Sequence, residues 1–495
     1  MSDLIGLYPD PSRWVLEIAF LSYVLTISLI VILERRRPAS TLAWLLALIF
    51  IPVVGLAVYV LIGRRRIRRH RRRRARRSAN PTDETRDVAR LSEIPDGLGQ
   101  PLSGLVRLAM RTAAAPLRRA ENVEILHDGA LAFERMHQAI EAARERIHAQ
   151  FYIWRDDETG IRLRDHLAAR AKAGVRVRVL YDDWGSLATS RDHFAPLLAA
   201  GGEVAAYGRL RLRLQFRRSR LQFRNHRKLL TVDGQVGFTG GLNVGNEYSG
   251  QRRATPAWND LHVRIAGDPV VGLDAIFLED WMTATGSELP DDVDLHQPHN
   301  DADHAVEGGQ SPLVQIIPSG PDLPMVSAIA IQIAAAIATA SKRCWVVTPY
   351  FVPTEALDQN LKIAALRGVD VRILLPAARV NDHRIVALAA RSYYDEFLQA
   401  GCRIFEYQPG MLHAKYLVVD ECVAAIGSAN MDVRSFHINY EVTAMFYDRE
   451  FTHRLAQVFT SDLAQGREVT PASRANSRLL ARLAEASARV LSPLL

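Results

Sequence analysis

Two short stretches of this chain repeat one arrangement of reactive groups. His226, Lys228 and Asp233 form the pattern H-x-K-x4-D, and His413, Lys415 and Asp420 form it again 187 residues later. A histidine and a lysine two positions apart on an extended segment point to the same face. One imidazole and one ammonium can then meet a single substrate atom. Displacement at a phosphodiester needs a nucleophile, a proton donor for the leaving oxygen, and positive charge on the non-bridging oxygens. Two His and two Lys brought together supply all three without a metal or cofactor. Each pattern is followed by a small-residue turn that ends in asparagine, Gly240-Gly241 to Asn243 and Gly427-Ser428 to Asn430. Backbone amides and asparagine side chains in such turns reach phosphate oxygens. A lone His-x-Lys is common; the duplicated pattern with its trailing turn is specific. The aspartates have two readings. Asp233 precedes Gly234 and Asp420 occupies the same place, so each either meets substrate or shapes a hairpin turn.

The duplication extends beyond the reactive residues. KAGVRVRVLYDD (172–183) matches LRGVDVRILLP (366–376), and LAAGGEVAAYG (198–208) matches LQAGCRIFEYQ (398–408). Each copy reads as β-branched strands alternating with amphipathic helices, which predicts an α/β unit on a parallel or mixed sheet. A repeat period near two hundred residues means fused domains, not a solenoid. The expected organisation is a first domain over 101–283, an acidic Pro/Gly-containing linker over 284–312 and a second domain over 313–495. His296, His299 and His304 in that linker lack the rigid spacing of a metal site. Cys344, Cys402 and Cys422 form no C-x-x-C pair and read as reduced, buried thiols. The stretch 475–491 reads as an amphipathic helix that packs on the body.

The first hundred residues differ in kind. Residues 14–33 and 42–62 are apolar runs about long enough to cross a bilayer as helices, so 1–63 is predicted to be a transmembrane helical hairpin. Residues 64–77 hold eleven arginines and no acid, and residues 64–100 read as a basic juxtamembrane run followed by a linker. Removing those eleven from the net charge of +8 leaves −3, so the body is mildly acidic. That argues against a nucleic-acid-binding surface, and no nucleic-acid partner is expected. A basic cluster after an apolar run favours the cytoplasmic side and anionic lipid. Arg35, Arg36 and Arg37 between the runs favour the same side, so either one cluster prevails or the second run, with Pro52 and Gly55, is re-entrant. Residues 209–224 alternate seven arginines with Leu and Phe, as an element at an anionic lipid surface or a solvated loop would.

The paired H-x-K-x4-D is the hallmark of the phospholipase D superfamily, and the chain resembles its bacterial cardiolipin synthase branch. The resemblance is carried by NHRKLLTVDG, FTGGLN and EYSG, then WNDLHVRIAGDPV, FLEDW, PSGPD, TPYFVP, LHAKYLVVD and GSANMDVRSFHINYE, with TLAWLLALIFIPVVGLAVYVLIG near the start and LSPLL at the end. Asn259 stands where the branch leads one to expect arginine, and Ala377-Ala378-Arg379 where it has a more polar loop. The resemblance implies two fused phospholipase D-like α/β sandwich domains behind a membrane anchor in the bacterial inner membrane. It implies transfer of a phosphatidyl group from one phosphatidylglycerol to another through a phosphohistidine, which splits one hard displacement into two. His226 is favoured as nucleophile and His413 as acid and base, although sequence symmetry allows the reverse. Lys228 and Lys415 would hold the phosphate. Glu441 would orient His413 and Asp260 would orient His226, since a carboxylate behind a catalytic histidine fixes its tautomer. Glu441, Arg434 and Asp432 could instead form an ion-pair cluster. The same chemistry serves hydrolytic phospholipases D and superfamily nucleases, and a scaffold that only binds lipid is the non-enzymatic alternative. The apolar start argues against a nuclease.

Overall fold

The computed structural model describes residues 11–33, 38–59, 98–208, 223–250, 258–288, 311–321, 327–475 and 479–492. The arginine run 64–77, residues 209–222 of the stretch 209–224 and residues 289–310 of the stretch 284–312 lie outside them. The chain divides into two compact units, 1–67 with 213–222, and 68–212 with 223–495.

The first unit contains helices Pro11–Leu33, Pro38–Phe50 and Pro52–Val58. Proline suits the first turn of a helix because its missing N–H would have no partner there. The same property ends the helix before it, so the apolar run predicted over 42–62 is divided at Ile51-Pro52. The Tyr23 hydroxyl donates to the Leu48 carbonyl at 3.3 Å, and Val31 and Leu48 are buried. No helix among the described residues is long and apolar enough to cross a membrane. The predicted transmembrane hairpin is therefore seen only as these helices, which expose Trp14, Leu21, Leu25, Phe50 and Val53.

The second unit is built on one mixed sheet. Its first half supplies β1 (Arg118–Leu126), β2 (Arg146–Phe151), β3 (Arg176–Asp182), β4 (Glu203–Tyr207), β5 (Leu229–Val232), β6 (Val236–Gly240) and β7 (His262–Gly267). Its second half supplies β8 (Leu313–Ser319), β9 (Arg343–Val347), β10 (Phe351–Val352), β11 (Asp370–Pro376), β12 (Arg403–Tyr407), β13 (Tyr416–Val419), β14 (Val423–Gly427), β15 (Met431–Asp432), β16 (Glu441–Phe446) and β17 (Gly466–Val469). The order is β17-β12-β11-β9-β13-β14-β16-β8-β1-β7-β6-β5-β2-β3-β4, with β10 and β15 paired separately. Apart from β17, this order reads the same from both ends: β1 answers β8, β7 answers β16, and β5 answers β13. The halves meet where β1 runs antiparallel to β8. Strands β2, β3 and β4 are parallel to one another, as are β9, β11 and β12. The remaining pairings of this sheet, through the H-x-K-x4-D hairpins β5–β6 and β13–β14, are antiparallel, whereas β10 and β15 pair in parallel.

Alternation along each strand assigns its two faces. Tyr416 and Val418 enter the core that contains helices Val270–Thr285 and Arg449–Ala464, together with Leu229 and Val263 of the first half. Leu417 and Val419 enter the opposite core, against helices Ala328–Thr339 and Glu355–Leu366. The two duplicated domains therefore share one hydrophobic layer. Cys344 and Cys402 are free and buried as expected, whereas Cys422 is only half-buried.

Candidate active site

Both reactive segments precede a strand of a hairpin: His226 and Lys228 lead into β5, and His413 and Lys415 lead into β13. Neither segment pairs only within its own half. The His226 amide donates to the Tyr440 carbonyl at 2.9 Å, and the Tyr440 amide donates to the Arg224 carbonyl at 2.9 Å. The Asn259 amide donates to the Met411 carbonyl at 2.8 Å, and the His413 amide returns to Asn259 at 2.6 Å. Each histidine is thus stitched to the residue that precedes the other half's carboxylate.

The carboxylates follow. Glu441 Oε1 and Oε2 both stand 3.0 Å from His226 Nδ1. Asp260 Oδ2 stands 2.6 Å from His413 Nδ1. The pairing is crossed between the halves, which corrects the expectation that Glu441 serves His413 and Asp260 serves His226. The cause is tertiary: β7 and β16 flank the seam, so Asp260, two residues before β7, and Glu441, the first residue of β16, reach across it. Each Nδ1–H donates to a carboxylate, which leaves each Nε2 for chemistry.

The supports of the two carboxylates differ. Glu441 also accepts from Ser428 Oγ at 2.5 Å and Asn439 Nδ2 at 3.2 Å. Asp260 accepts from the Leu261 amide at 2.7 Å. Gly241, in the place of Ser428, lies against Asp260, where a Cβ would collide with its carboxylate. Burial would raise the Glu441 carboxyl, but His226, Lys228 and the Ser428 hydroxyl hold it below its ordinary value. Burial would likewise raise Asp260, and His413 with Lys415 holds it down. Burial pushes His226 down to about 4, against the pull of Glu441 and with the push of Lys228 and Lys415. Burial and Lys415 also lower His413, opposed by Asp260.

The lysines converge with them. Both are fully enclosed, and Lys228 Nζ donates to the His226 carbonyl at 2.7 Å, as Lys415 Nζ does to the His413 carbonyl. Burial lowers Lys228 to about 7 and Lys415 to about 8, and each feels both Glu441 and Asp260. The field at Lys228 includes Lys415, so the two motifs form one site. Two lysines converging on one site suit the oxygens of a phosphate.

The asparagines are divided. Asn243 is occupied: its Oδ1 accepts from the Ile153 amide at 3.1 Å and its Nδ2 donates to the Tyr248 hydroxyl at 2.9 Å. Asn430 keeps a buried Oδ1 without a hydrogen-bond partner among the described residues. Asp233 and Asp420 are not at the histidines. Both sit in turns at positive φ, +53° and +50°. Asp233 accepts from the amides of Arg144, Glu145 and Arg146 at 2.8 to 2.9 Å. Asp420 accepts from those of Ser341, Lys342 and Arg343 at 2.7 to 3.1 Å. The turn reading holds for both, because a carboxylate facing three backbone amides in a turn has its lone pairs committed there.

Several contributors had no signal in the motif. Arg227, inside the first H-x-K, is buried; its Nη1 meets both Asp280 oxygens at 2.7 Å and its Nε donates to the Glu441 carbonyl at 3.1 Å. Its counterpart in the second copy is Ala414, so the repeat could not have revealed the lock. Asn259 uses its amide to hold Asp462 at 2.7 Å. Aromatic rings wall the histidines: Tyr152 lies edge-on to His226 at 4.8 Å, while Trp258 and Tyr248 stand 5.2 and 5.6 Å from His413. Tyr350 lies 6.4 Å from His413 and donates its hydroxyl to Asp382 at 2.8 Å. Among the described residues no cluster of His, Cys, Asp or Glu could hold a metal ion. His296, His299 and His304 lie outside them.

The family profile "Cardiolipin synthase, PLD-like domain" matches residues 136–253 and 333–463, and "Phospholipase D-nuclease N-terminal" matches 20–64. The chain is 40% identical to a cardiolipin synthase of Geobacillus kaustophilus over 95% of its own length and 92% of that protein. It is 37% identical to cardiolipin synthase 1 of Bacillus anthracis, again over 95% and 92%. Among solved structures it is similar in fold to a phosphatidylserine synthase of Haemophilus influenzae, with TM-score 0.59 and 15% identity, over 79% of this chain and 100% of that one. With both reactive motifs intact and the duplicated domain matched in each half, the chain belongs to the cardiolipin synthase family of the phospholipase D superfamily.

Proposed function

We propose that the chain transfers a phosphatidyl group from one phosphatidylglycerol to a second, giving cardiolipin and glycerol, without a metal or cofactor. The observation that carries this reading is the pair of histidines, each with a carboxylate on Nδ1 and each beside a buried lysine, in a site shared by both halves. His226 is assigned as nucleophile. Burial and the two lysines keep His226 neutral, as attack requires, against a Glu441 charge that is divided among three donors. Asp260 stands closer to His413 and better supports an imidazolium, as a proton donor requires.

His226 Nε2 attacks phosphorus as the bond to the glycerol oxygen breaks, and His413 delivers its Nε2 proton to that oxygen. The hydroxyl of a second phosphatidylglycerol then attacks the phosphohistidine, the P–N bond breaks, and His413 takes the hydroxyl proton. Lys228 and Lys415 neutralise the non-bridging oxygens in both steps, with Asn430 a further contact. The lipid substrate and the exposed apolar helices of the first unit support placement at the bacterial inner membrane through residues 1–63, with the catalytic part facing the cytoplasm.

The test is purified protein in mixed micelles with labelled phosphatidylglycerol and products resolved by mass. Cardiolipin and glycerol in equal amounts, lost in His226→Ala and His413→Ala, support the reading. Phosphatidic acid as the main product would replace it with a hydrolase.

A further inference from the structure

The chain's last described helix, Leu479–Val490, is docked inside out. Its inward residues are Glu485, Ala488 and Arg489, followed by Ser492 one turn later. Glu485 accepts from Arg391 Nε at 3.0 Å and from Arg474 Nη2 at 2.7 Å. Arg489 pairs with Glu396 at 2.5 Å and stacks on Tyr393 at 4.2 Å. Ser492 meets the Tyr393 hydroxyl at 3.3 Å. At 100° per residue, Leu480, Leu483 and Val490 fall on the opposite side, with Leu479 and Leu491 at its margins. They are exposed by 78%, 54%, 78%, 73% and 40%.

An amphipathic helix on a water-surrounded protein buries its apolar face and shows its polar one. This helix does the reverse, and it keeps its place through ion pairs. The stretch 475–491 does pack on the body as expected, but through its polar face. The helix it packs against leads toward the active site. Arg391, which holds Glu485, ends the helix Arg384–Arg391, whose Ile385 is also exposed. The residue before its N-cap is Asp382, bonded to Tyr350 beside His413. Arg384 and Arg482 are exposed on these two helices. Leucines flanked by arginines suit the headgroup boundary of an anionic bilayer.

We propose that Leu479–Val490, with Ile385, is an interfacial membrane-docking element that inserts its leucines beside the His413 end of the active site. It is a second lipid contact, separate from residues 1–63, and it rests on the reading that the substrate is a lipid. By seating the rim of the site in the headgroup layer, it lets a phosphatidylglycerol enter without leaving the bilayer.

The test uses the full chain in vesicles of phosphatidylglycerol and phosphatidylethanolamine. A polarity-sensitive fluorophore is placed at Leu483→Cys in a Cys422→Ser background, with Glu468→Cys as control, and the acyl chains carry bromine quencher. Quenching at 483 but not at 468 is expected. In parallel, L480S/L483S/V490S should raise the vesicle-substrate KM by about tenfold or more, from lost apolar contact. Its turnover of short-chain, monomeric phosphatidylglycerol should stay at the parent value, which keeps the catalytic reading separate. Absence of quenching would overturn the proposal. So would a shielded, lipid-independent signal at 483 with a halved mass for the triple variant in detergent, because a second copy would then cover the face.

Discussion

Replacing Glu441 by glutamine tests the crossed pairing. The side chain keeps its size but loses its charge. It now accepts from three side-chain donors: His226 Nδ1 at 3.0 Å, Ser428 Oγ at 2.5 Å and Asn439 Nδ2 at 3.2 Å. A carboxamide offers one oxygen, and its NH2 must face one of those donors. A hydrogen bond to a charged group contributes about 1.5–3 kcal/mol. At 1.4 kcal/mol per factor of ten, its loss from the transition state lowers kcat by about 10- to 150-fold. If His226 also turns to the other tautomer, the loss approaches about 10⁴. The assay compares two donors, phosphatidylglycerol and a phosphatidyl ester of nitrophenol. Nitrophenolate leaves without a proton, so it spares the acid and not the nucleophile. Glu441→Gln should release the leaving group slowly from both donors, whereas Asp260→Asn and His413→Ala should be rescued in the first-turnover release of nitrophenolate, the second step still needing His413 as base. If Glu441→Gln stays within about threefold of the parent on both, or is the variant that the activated donor rescues, the crossed pairing with His226 as nucleophile is wrong.

Other consequences are simpler to measure. Lys228 and Lys415 are charged below about 7 and about 8, so kcat/KM should fall as pH rises through that window. Lys228→Arg should abolish the lower of the two alkaline transitions, even at reduced activity. Lys228 has a folded-state value below its ordinary 10.5, so its charge opposes folding at pH 7 and that penalty fades as pH rises toward 10.5. Lys228→Met should therefore raise Tm at pH 7 and lose this advantage near pH 10, while transferase activity disappears. Asp233→Ala and Asp420→Ala each leave three turn amides unpaired, a cost of about 1–3 kcal/mol in stability; kcat per folded molecule should hold, and a collapse of kcat with unchanged Tm would return these residues to the chemistry. Arg227→Ala leaves the buried Asp280 without its counter-charge, held only by Gln150 and Asn225, costing about 3–5 kcal/mol, seen as a lower denaturation midpoint.

The sequence alone determined the reactive set and the scaffold class. Duplication of H-x-K-x4-D with its Gly/Ser-Asn turn named His226, Lys228, His413 and Lys415, because a motif repeated at constant offset is local information. Alternating strands and helices likewise foretold two α/β copies. Only the tertiary structure decided who partners whom. Glu441 and Asp260 lie in the same copy as His413 and His226, and the resemblance implied pairing within a copy. The seam between β1 and β8 places β16 and β7 near it and exchanges the partners. Asp233 and Asp420 looked catalytic by membership of the motif, yet a positive φ and three facing amides commit them to turns. Arg227 answers Ala414 in the other copy, so its lock on Asp280 left no trace in the repeat. For the helix Leu479–Val490, periodicity told that it has two faces, but which face the body takes depends on Arg391, Arg474 and Glu396, residues brought near it only by folding.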